Sequence, residues 1–276
     1  MKRSMMVAAG AVVIGMASVA CGAEGTKVPK IADNSFLIEE AYNQEPGVIQ
    51  HINAYQYNHE DHSWMYTFTE EIPVPDEKNQ LSFTLPVEKV TGGGTGEGKD
   101  ETGLGDVLLN YRYQLVGDDR IAIAPRFSFV LPTGDSKKGL GDNNLGYQVN
   151  LPVSIDINPL WTMHWNLGAT YLDKAEDTVG NVANTLGLFY GVSAIACITP
   201  TFNLMLEVVG GTDEEVVGAD ETERSDWFVI NPGMRFAINC KSGLQIVPGF
   251  SVPIGVGPSS GEVAMLGYLS FEHPAF

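Results

Sequence analysis

Three side chains on two neighbouring segments of this chain could together do hydrolytic chemistry. Ser154 and Asp156 lie on one face of a segment that ends near residue 157, and His164 lies on the next segment. If a tight turn at 158–160 joins the two segments, His164 comes opposite Ser154, with Asp156 diagonal to it. Serine, histidine and a carboxylate are the groups of a nucleophilic hydrolase, but no nucleophile-elbow motif accompanies them. A histidine that lines the inner wall of a barrel is the alternative, and the pattern favours it.

A second group of polar side chains could form the constriction of a channel. A three-residue turn at 117–119 predicts that Asn110 faces Arg126 across two strands, with Arg112 diagonal to Arg126 and Arg120 elsewhere in the same lumen. Opposed charges in a narrow pore create a transverse field that sorts solutes. The alternative is a hydrogen-bond network that only stiffens the wall. The side chains expected to line the pore are Asp106, Asn110, Arg112, Arg126, Gln148, Asn150, His164, Glu207 and Arg235.

These side chains belong to segments in which every second residue is apolar. Between Leu145 and Ile157 the odd positions are apolar, and the even positions include Gln148, Asn150 and Asp156. Such alternation is typical of β-strands with one apolar face. Twelve strands are predicted, at 47–58, 63–73, 79–89, 104–116, 120–132, 144–157, 160–172, 184–198, 201–211, 225–239, 243–256 and 262–273. The first three are the least regular, so ten or fourteen strands are alternative counts.

The connections between these strands are sorted by length. Short ones at 117–119, 157–159, 199–201 and 239–242 alternate with long ones at 133–143, 173–183 and 211–226 and a shorter one at 257–262. A barrel in the bacterial outer membrane has short periplasmic turns and longer outer loops. The sequence therefore predicts an all-β fold, an antiparallel transmembrane β-barrel in the cell outer membrane.

Two features indicate that the apolar faces point into lipid. Lysine is missing from the interiors of the predicted strands, although it is common on the solvated face of soluble sheets. Large aromatic side chains stand on the apolar face toward strand ends, as interfacial girdles require. The predicted girdle residues are Trp64, Tyr66, Tyr111, Tyr113, Tyr147, Trp161, Tyr171 and Trp227. Twelve strands enclose a lumen that suits small solutes.

The start of the chain is predicted to carry an export signal. Residues 1–23 combine a basic start, an apolar run and small residues, which is typical of a signal peptide cleaved after Ala20 or Ala23. Lipidation of Cys21 is the alternative. Residues 24–46 are predicted as a periplasmic N-terminal segment with a short helix over 36–42, capped by Asn34-Ser35. This helix could pack at the periplasmic rim or plug the lumen, and residues 47–276 form the barrel.

Charge and composition limit the partners of the chain. The formal net charge of −18 argues against nucleic acid, whose binders need basic faces. We expect outer-membrane lipid and lipopolysaccharide, small-molecule solutes and the barrel-assembly machinery as partners, and no cofactor. Cys197 and Cys240 lie one strand apart, roughly 9–10 Å from each other, so pairing requires an inward bend. His51, His59 and His62 near the first hairpin could bind a metal weakly, although a polar loop is the favoured interpretation.

Several short motifs resemble a family of proposed outer-membrane transporters named for the meta-cleavage pathway of phenol degradation. The motifs are Phe36–Glu45 followed by Val48–His51, Gly103–Asp106, Leu131–Asp135 and the closing Leu269–Phe276. The resemblance covers nearly all of the mature chain. It implies a barrel channel, with transport of hydrophobic or aromatic compounds proposed for the family and no catalytic residues defined.

Three functions remain open at this stage. The favoured one is a porin-like channel for passive passage of small molecules, which include hydrophobic or aromatic compounds as candidates. The second is a structural barrel that sheathes an outer-membrane electron-transfer complex. The third and least favoured is an outer-membrane lipid hydrolase, so the chain is predicted not to be an enzyme.

Overall fold

The computed structural model of the chain describes residues 30–93 and 99–275, so the predicted signal peptide lies outside the described residues. Within them the chain forms twelve barrel strands, several of which are interrupted. The strands are β1 Val48–Asn58, β2 Trp64–Pro73, β3 Asn79–Gly93, β4 Lys99–Leu104 with Val107–Tyr113 and Val116–Gly117, β5 Ile121–Ile123 with Arg126–Leu131, β6 Gly146–Asn150 with Val153–Asp156, β7 Trp161–Glu176, β8 Val182–Thr199, β9 Phe202–Gly218, β10 Glu221–Phe236 with Ile238–Asn239, β11 Gln245–Ser251 with Ile254–Gly255, and β12 Ala264–Pro274. Short 3₁₀ turns occur at Ser136–Lys138 and Gly257–Ser259.

The strands close into a barrel. Each pairs antiparallel with the next, and β1 pairs with β12 from Val48↔Pro274 to Asn58↔Ala264. Closure leaves no free edge, so every strand can satisfy its backbone hydrogen bonds inside a membrane. The predicted fold class and the count of twelve are therefore confirmed.

The two faces of the wall are inverted relative to a soluble protein. Apolar side chains such as Leu167 (64% exposed) and Trp165 (46%) point outward, whereas Ser193 and Glu207 on the inner face are fully buried. The prediction that the apolar faces point out of the barrel is confirmed. The placement of Trp227 in the outer girdle is wrong, because this ring packs in the lumen.

The connections at 173–183 and 211–226 are not the long loops that the sequence predicts. β7 continues to Glu176 and β8 begins at Val182, while β9 and β10 are paired up to Gly218↔Glu221. Charged residues are compatible with strands here because these hairpins extend beyond the part of the wall that needs an apolar face. The acidic residues 213–226 thus lie mostly on paired strands.

The predicted helix over 36–42 is also wrong. Residues 36–38 form bends, and the Ser35 N–H donates to the Ile38 carbonyl over 2.9 Å. Side chains of the barrel wall bind the backbone groups here, and a helix would need those groups for itself. No helix in the described part of the chain is long and apolar enough to cross a membrane.

Candidate functional site

Residues 30–46, which we call the inner segment, run into the lumen of the barrel and return. The Lys30 ammonium contacts the Asp156 carboxylate at 2.8 Å, near the end of β6. The Tyr42 hydroxyl donates to the Asp118 carbonyl over 2.9 Å, in the turn after β4. Both turns lie at the barrel end where the chain enters β1 and leaves β12. Between these two contacts the segment reaches Glu207 and Val209 on β9, which are deeper in the lumen.

Two buried arginines of the wall hold the backbone of the inner segment. Arg112 donates to the carbonyls of Glu40 (3.0 Å) and Tyr42 (2.8 Å). Arg235 donates to the carbonyls of Asp33 (3.0 Å) and Asn34. Hydrogen bonds from charged donors are the stronger class. The guanidinium groups therefore anchor the segment at two separate points.

A third arginine, Arg126, holds a side chain of the segment. Its guanidinium forms a bidentate ion pair with Glu39, at 3.0 Å from Nε to Oε2 and 2.7 Å from Nη2 to Oε1. The same guanidinium donates to Asn110 (2.8 Å), to Gln148 (2.7 Å) and to Ser128. A planar fork of donors suits such simultaneous recognition. This side chain therefore links the segment to β4, β5 and β6.

Glu207 on β9 binds the innermost part of the segment. Its Oε1 accepts the N–H groups of Leu37 (2.9 Å) and Ile38 (3.1 Å), and its Oε2 accepts from Asn231 over 2.6 Å. The backbone N–H groups of a bend converge on one carboxylate in an anion-binding arrangement. Three donors thus compensate a carboxyl that is completely buried.

Two carboxyls of the inner segment are themselves buried. Asp33 accepts from Tyr268, from Ser270 (2.5 Å) and from Gln50 (2.8 Å). Burial raises the pKa of the Asp33 carboxyl, an effect that the nearby Arg235 partly offsets. Burial, followed by repulsion from Asp33, raises the pKa of Glu40 to about 8. The segment therefore carries a buried acid that is mostly neutral near pH 7.

Apolar contacts complete the docking of the segment. The Phe36 ring packs edge-on to Tyr268, with ring centroids 5.7 Å apart. Around it lie Ile52, Ile195, Met205 and Leu266, so a small apolar core occupies the lumen.

Farther along the segment, Ile38 packs against Val209 and Val229. Trp227 adjoins this cluster, and its indole N–H donates to Asp213 over 2.7 Å. The deep end of the segment is therefore apolar and lies beside an aromatic ring of the wall.

The structure brings eight of the nine predicted pore residues to the inner wall. Most of them contact the inner segment or each other and do not face an empty lumen. Gln148 donates to Thr170 over 2.9 Å, and Asn150 donates to Asn166 over 3.0 Å. Asp106 is the exception. Its carboxylate accepts from Gly134 (2.8 Å) and Asp142 (2.9 Å), and so organises the loop between β5 and β6.

The predicted register between β4 and β5 is wrong by two residues. Arg126 lies opposite Arg112, and the hydrogen bond from Arg126 to Asn110 is diagonal. The cause is a tighter turn together with an irregularity on both strands near residues 114 and 124. Arg120 is exposed in the periplasmic turn, where it contacts the Ile157 carbonyl, and so does not lie in the lumen.

The group Ser154, His164 and Asp156 is only partly assembled. Ser154 lies opposite His164, as predicted, with 2.7 Å between Oγ and Nδ1. Asp156 instead binds Thr162 and Lys30, and the carboxylate nearest His164 belongs to Glu40, at 3.9 Å. The Ser154 hydroxyl is fully buried and accepts the N–H of Ala41. A substrate carbonyl has no approach to it while the segment is docked.

The cysteines and histidines are also placed. Cys197 and Cys240 are both free. His59 and His62 lie together in the turn after β1, with ring centroids 6.3 Å apart, but His51 is at the other end of that strand. Within residues 30–93 and 99–275, no group of three or more His, Cys, Asp or Glu side chains could hold a metal ion.

The sequence left a plug of the lumen open as an alternative for this stretch, but it did not reveal that Asp33, Phe36, Glu39 and Glu40 make the contacts. The one available signal was an unusual density of apolar residues between Ile31 and Ile38, in a stretch outside the predicted strands. A linker that is surrounded by water typically contains few apolar residues.

A closed barrel with an apolar exterior and a polar, partly filled interior defines an outer-membrane β-barrel protein. A family model described as "Putative MetA-pathway of phenol degradation" matches residues 48–252, and the chain belongs to this family. The predicted family is therefore confirmed.

Comparison with solved structures places the fold among outer-membrane barrels. The COG4313 outer membrane channel from Pseudomonas putida F1 is similar, with a TM-score of 0.65 and 13% sequence identity, covering 84% of this chain and 97% of that one. The KdgM porin is similar with a TM-score of 0.52 and 10% identity, covering 81% of this chain and 98% of that one. No curated protein matches the sequence. The predicted localisation in the outer membrane is confirmed.

Proposed function

We propose that this protein is a passive outer-membrane channel for small molecules, whose conductance is limited by the inner segment. The observation that carries this proposal is the polar inner wall, on which Arg112, Arg126, Glu207 and Arg235 all hold a separate stretch of chain. This stretch is not part of any strand, so it fills the lumen without being part of the wall. The similarity in fold to an outer membrane channel and to a porin supports the proposal.

The solutes that we propose are small hydrophobic or aromatic compounds. Beyond the inner segment the inner wall carries Phe189 and Trp227, and the bend of the segment adds the partly exposed Leu37. Such a lining removes apolar surface from water but leaves polar groups to orient a hydroxyl or carboxylate. The description of the family, which refers to phenol degradation, agrees with this solute class.

Two variants test the role of the inner segment. We expect deletion of residues 30–46 to raise single-channel conductance in planar bilayers several-fold, because the occupant of the lumen is gone. In the full-length chain, Glu207→Gln weakens the acceptor for Leu37 and Ile38 and should give an intermediate conductance with more frequent openings. Ser225→Ala, on an outer hairpin, is the control and should match the wild type.

Solute choice is tested separately, by uptake into liposomes. We expect phenol and benzoate to enter faster than glucose in liposomes that contain the wild-type barrel, relative to empty liposomes. A folded barrel that shows no conductance with or without the segment would contradict the channel. Equal entry rates for benzoate and glucose would contradict the solute class alone.

A further inference from the structure

Two histidines meet on the outer face of the barrel at the seam where the first and last strands close it. His51 on β1 and His273 on β12 are one step diagonal to each other, since His51 is paired with Phe271 and Ile49 with His273. Their Nε2 atoms are 3.1 Å apart, and their ring centroids are 5.2 Å apart. His51 is partly exposed, and the seam here lies at the periplasmic end of the wall.

The remaining nitrogen of each ring faces a group that can accept a hydrogen bond. Nδ1 of His273 lies 2.9 Å from the Pro274 carbonyl, which can only accept, so this nitrogen carries the proton. Nδ1 of His51 faces the Glu70 carboxylate at 3.4 Å, which likewise accepts. With both Nδ1 atoms protonated, both Nε2 atoms present lone pairs on the same side of the two rings.

Two nearby nitrogen lone pairs repel each other unless both bind the same cation. Bonds of about 2.0–2.1 Å from imidazole nitrogen to a zinc-like ion place two ligand nitrogens roughly 2.8–3.4 Å apart at angles near 90–110°. The observed separation falls within this range. Ligating histidines also donate their other N–H to a carboxylate or backbone carbonyl, which is what Glu70 and Pro274 provide.

We propose that His51 and His273 bind one divalent transition-metal ion, zinc or copper, through their Nε2 atoms and so tie β1 to β12. Imidazole nitrogen suits both metals. Because no third His, Cys, Asp or Glu ligand converges on the pair among the described residues, water completes the coordination. The ion cross-links the first and last strands where the barrel closes. This cross-link is independent of what passes through the lumen.

The site is tested on the mature chain in detergent, purified without a histidine tag and stripped with EDTA. We expect one equivalent of Cu²⁺ to give an electron paramagnetic resonance spectrum with two coupled nitrogens. Zn²⁺ should raise the temperature of barrel unfolding by several degrees, read from the gel mobility of heated samples, because it binds only the folded form. Both effects should disappear in His51→Gln and in His273→Gln.

His59→Gln is the matched control, since His59 lies in the outer turn away from the seam. This variant should bind Cu²⁺ and respond to Zn²⁺ as the wild type does. A zinc response that survives in His273→Gln would overturn the proposal. The proposal would also be overturned if acidification in EDTA raised the unfolding temperature of the barrel and metal did not. A proton shared by the two Nε2 atoms would then explain their short separation.

Discussion

Individual charged residues of the lumen are buried, and each has its charge compensated by another part of the chain. Arg235 is 1% exposed and Glu207 is 0% exposed, yet each binds backbone groups of the inner segment. Buried charges are costly unless they are paired and hydrogen-bonded. When the segment leaves, water has to replace it around these groups. The equilibrium between the docked and the undocked inner segment therefore depends on the protonation of the acids that lie between the segment and the wall.

Glu40 is the acid most suited to make this balance depend on pH. Its pKa in the docked state is about 8, above the ordinary value of 4.5. The contribution of the Glu40 carboxyl to the stability of the docked segment is fully present below about pH 4.5. It is lost as the pH rises through about 8. The titratable and charged groups that face it are Asp33, Glu71, Arg112, His164 and Arg235, and the pKa of Asp33 is shifted in the same direction.

We therefore expect the channel to open more often at pH 9 than at pH 6, measured as open probability in planar bilayers. Glu40→Gln keeps the shape of the side chain without its titration and should remove most of the difference. Glu77→Gln, in the exposed turn after β2, should leave the difference unchanged. An identical pH response in Glu40→Gln and wild type would show that another group controls docking.

At the scale of elements, the inner segment fits because glycines of the wall leave room for it. A Cβ at Gly249 on β11 would lie 2.6 Å from the Phe36 ring, and one at Gly191 on β8 would lie 2.4 Å from Ile38. Distances this short require the neighbour to move. The strands thus carry recesses that match two apolar side chains of the segment.

Gly249→Ala should weaken docking of the inner segment by about 1–3 kcal/mol, because the added methyl group overpacks the Phe36 pocket. Labelling of a cysteine introduced in place of Leu37 measures docking, and we expect faster labelling in the variant. Adding Phe36→Leu should restore part of the protection.

Gly267→Ala is the control for this substitution. The nearest atom to its new Cβ is the Tyr55 carbonyl oxygen, at 3.9 Å, which is ordinary contact. Labelling that accelerates equally in both alanine variants would mean that the effect arises from the backbone of the strands and not from Phe36.

At the scale of the whole molecule, stability depends on an apolar exterior that meets lipid. Leu167 near the middle of β7 is 64% exposed, and Val179 in the turn after β7 is 75% exposed. The exposures are similar, but only the first position lies on the membrane-spanning wall. The two residues therefore separate exposure to lipid from exposure to water.

Leu167→Arg should destabilise the barrel in lipid vesicles by about 2–4 kcal/mol, as expected for a basic residue near the bilayer midplane. Val179→Arg should change stability by less than about 0.5 kcal/mol, because the turn lies in water. Urea titration followed by gel mobility without boiling gives both values. Equal destabilisation by the two substitutions would contradict the position assigned to the membrane.

Much of the wall could be predicted from the amino-acid sequence. The alternation between residues 145 and 157 gave the correct inward face, including Gln148 and Asn150, because a strand alternates its side chains whatever its neighbours are. The pairing of Ser154 with His164 followed from a short turn. The pairing of Arg112 with Arg126 did not, because a strand irregularity shifts the register without a clear signal in composition.

The sequence by itself determined the twelve amphipathic strands, the apolar exterior and the family, since these depend on periodicity and on short local motifs. Only the tertiary structure decided that residues 30–46 fill the lumen instead of forming a helix at its rim. Asp33 meets Arg235 across 202 residues of chain, and Leu37 meets Glu207 across 170. Partners so distant in sequence leave no periodic pattern, because they are brought together only when the barrel closes around the segment.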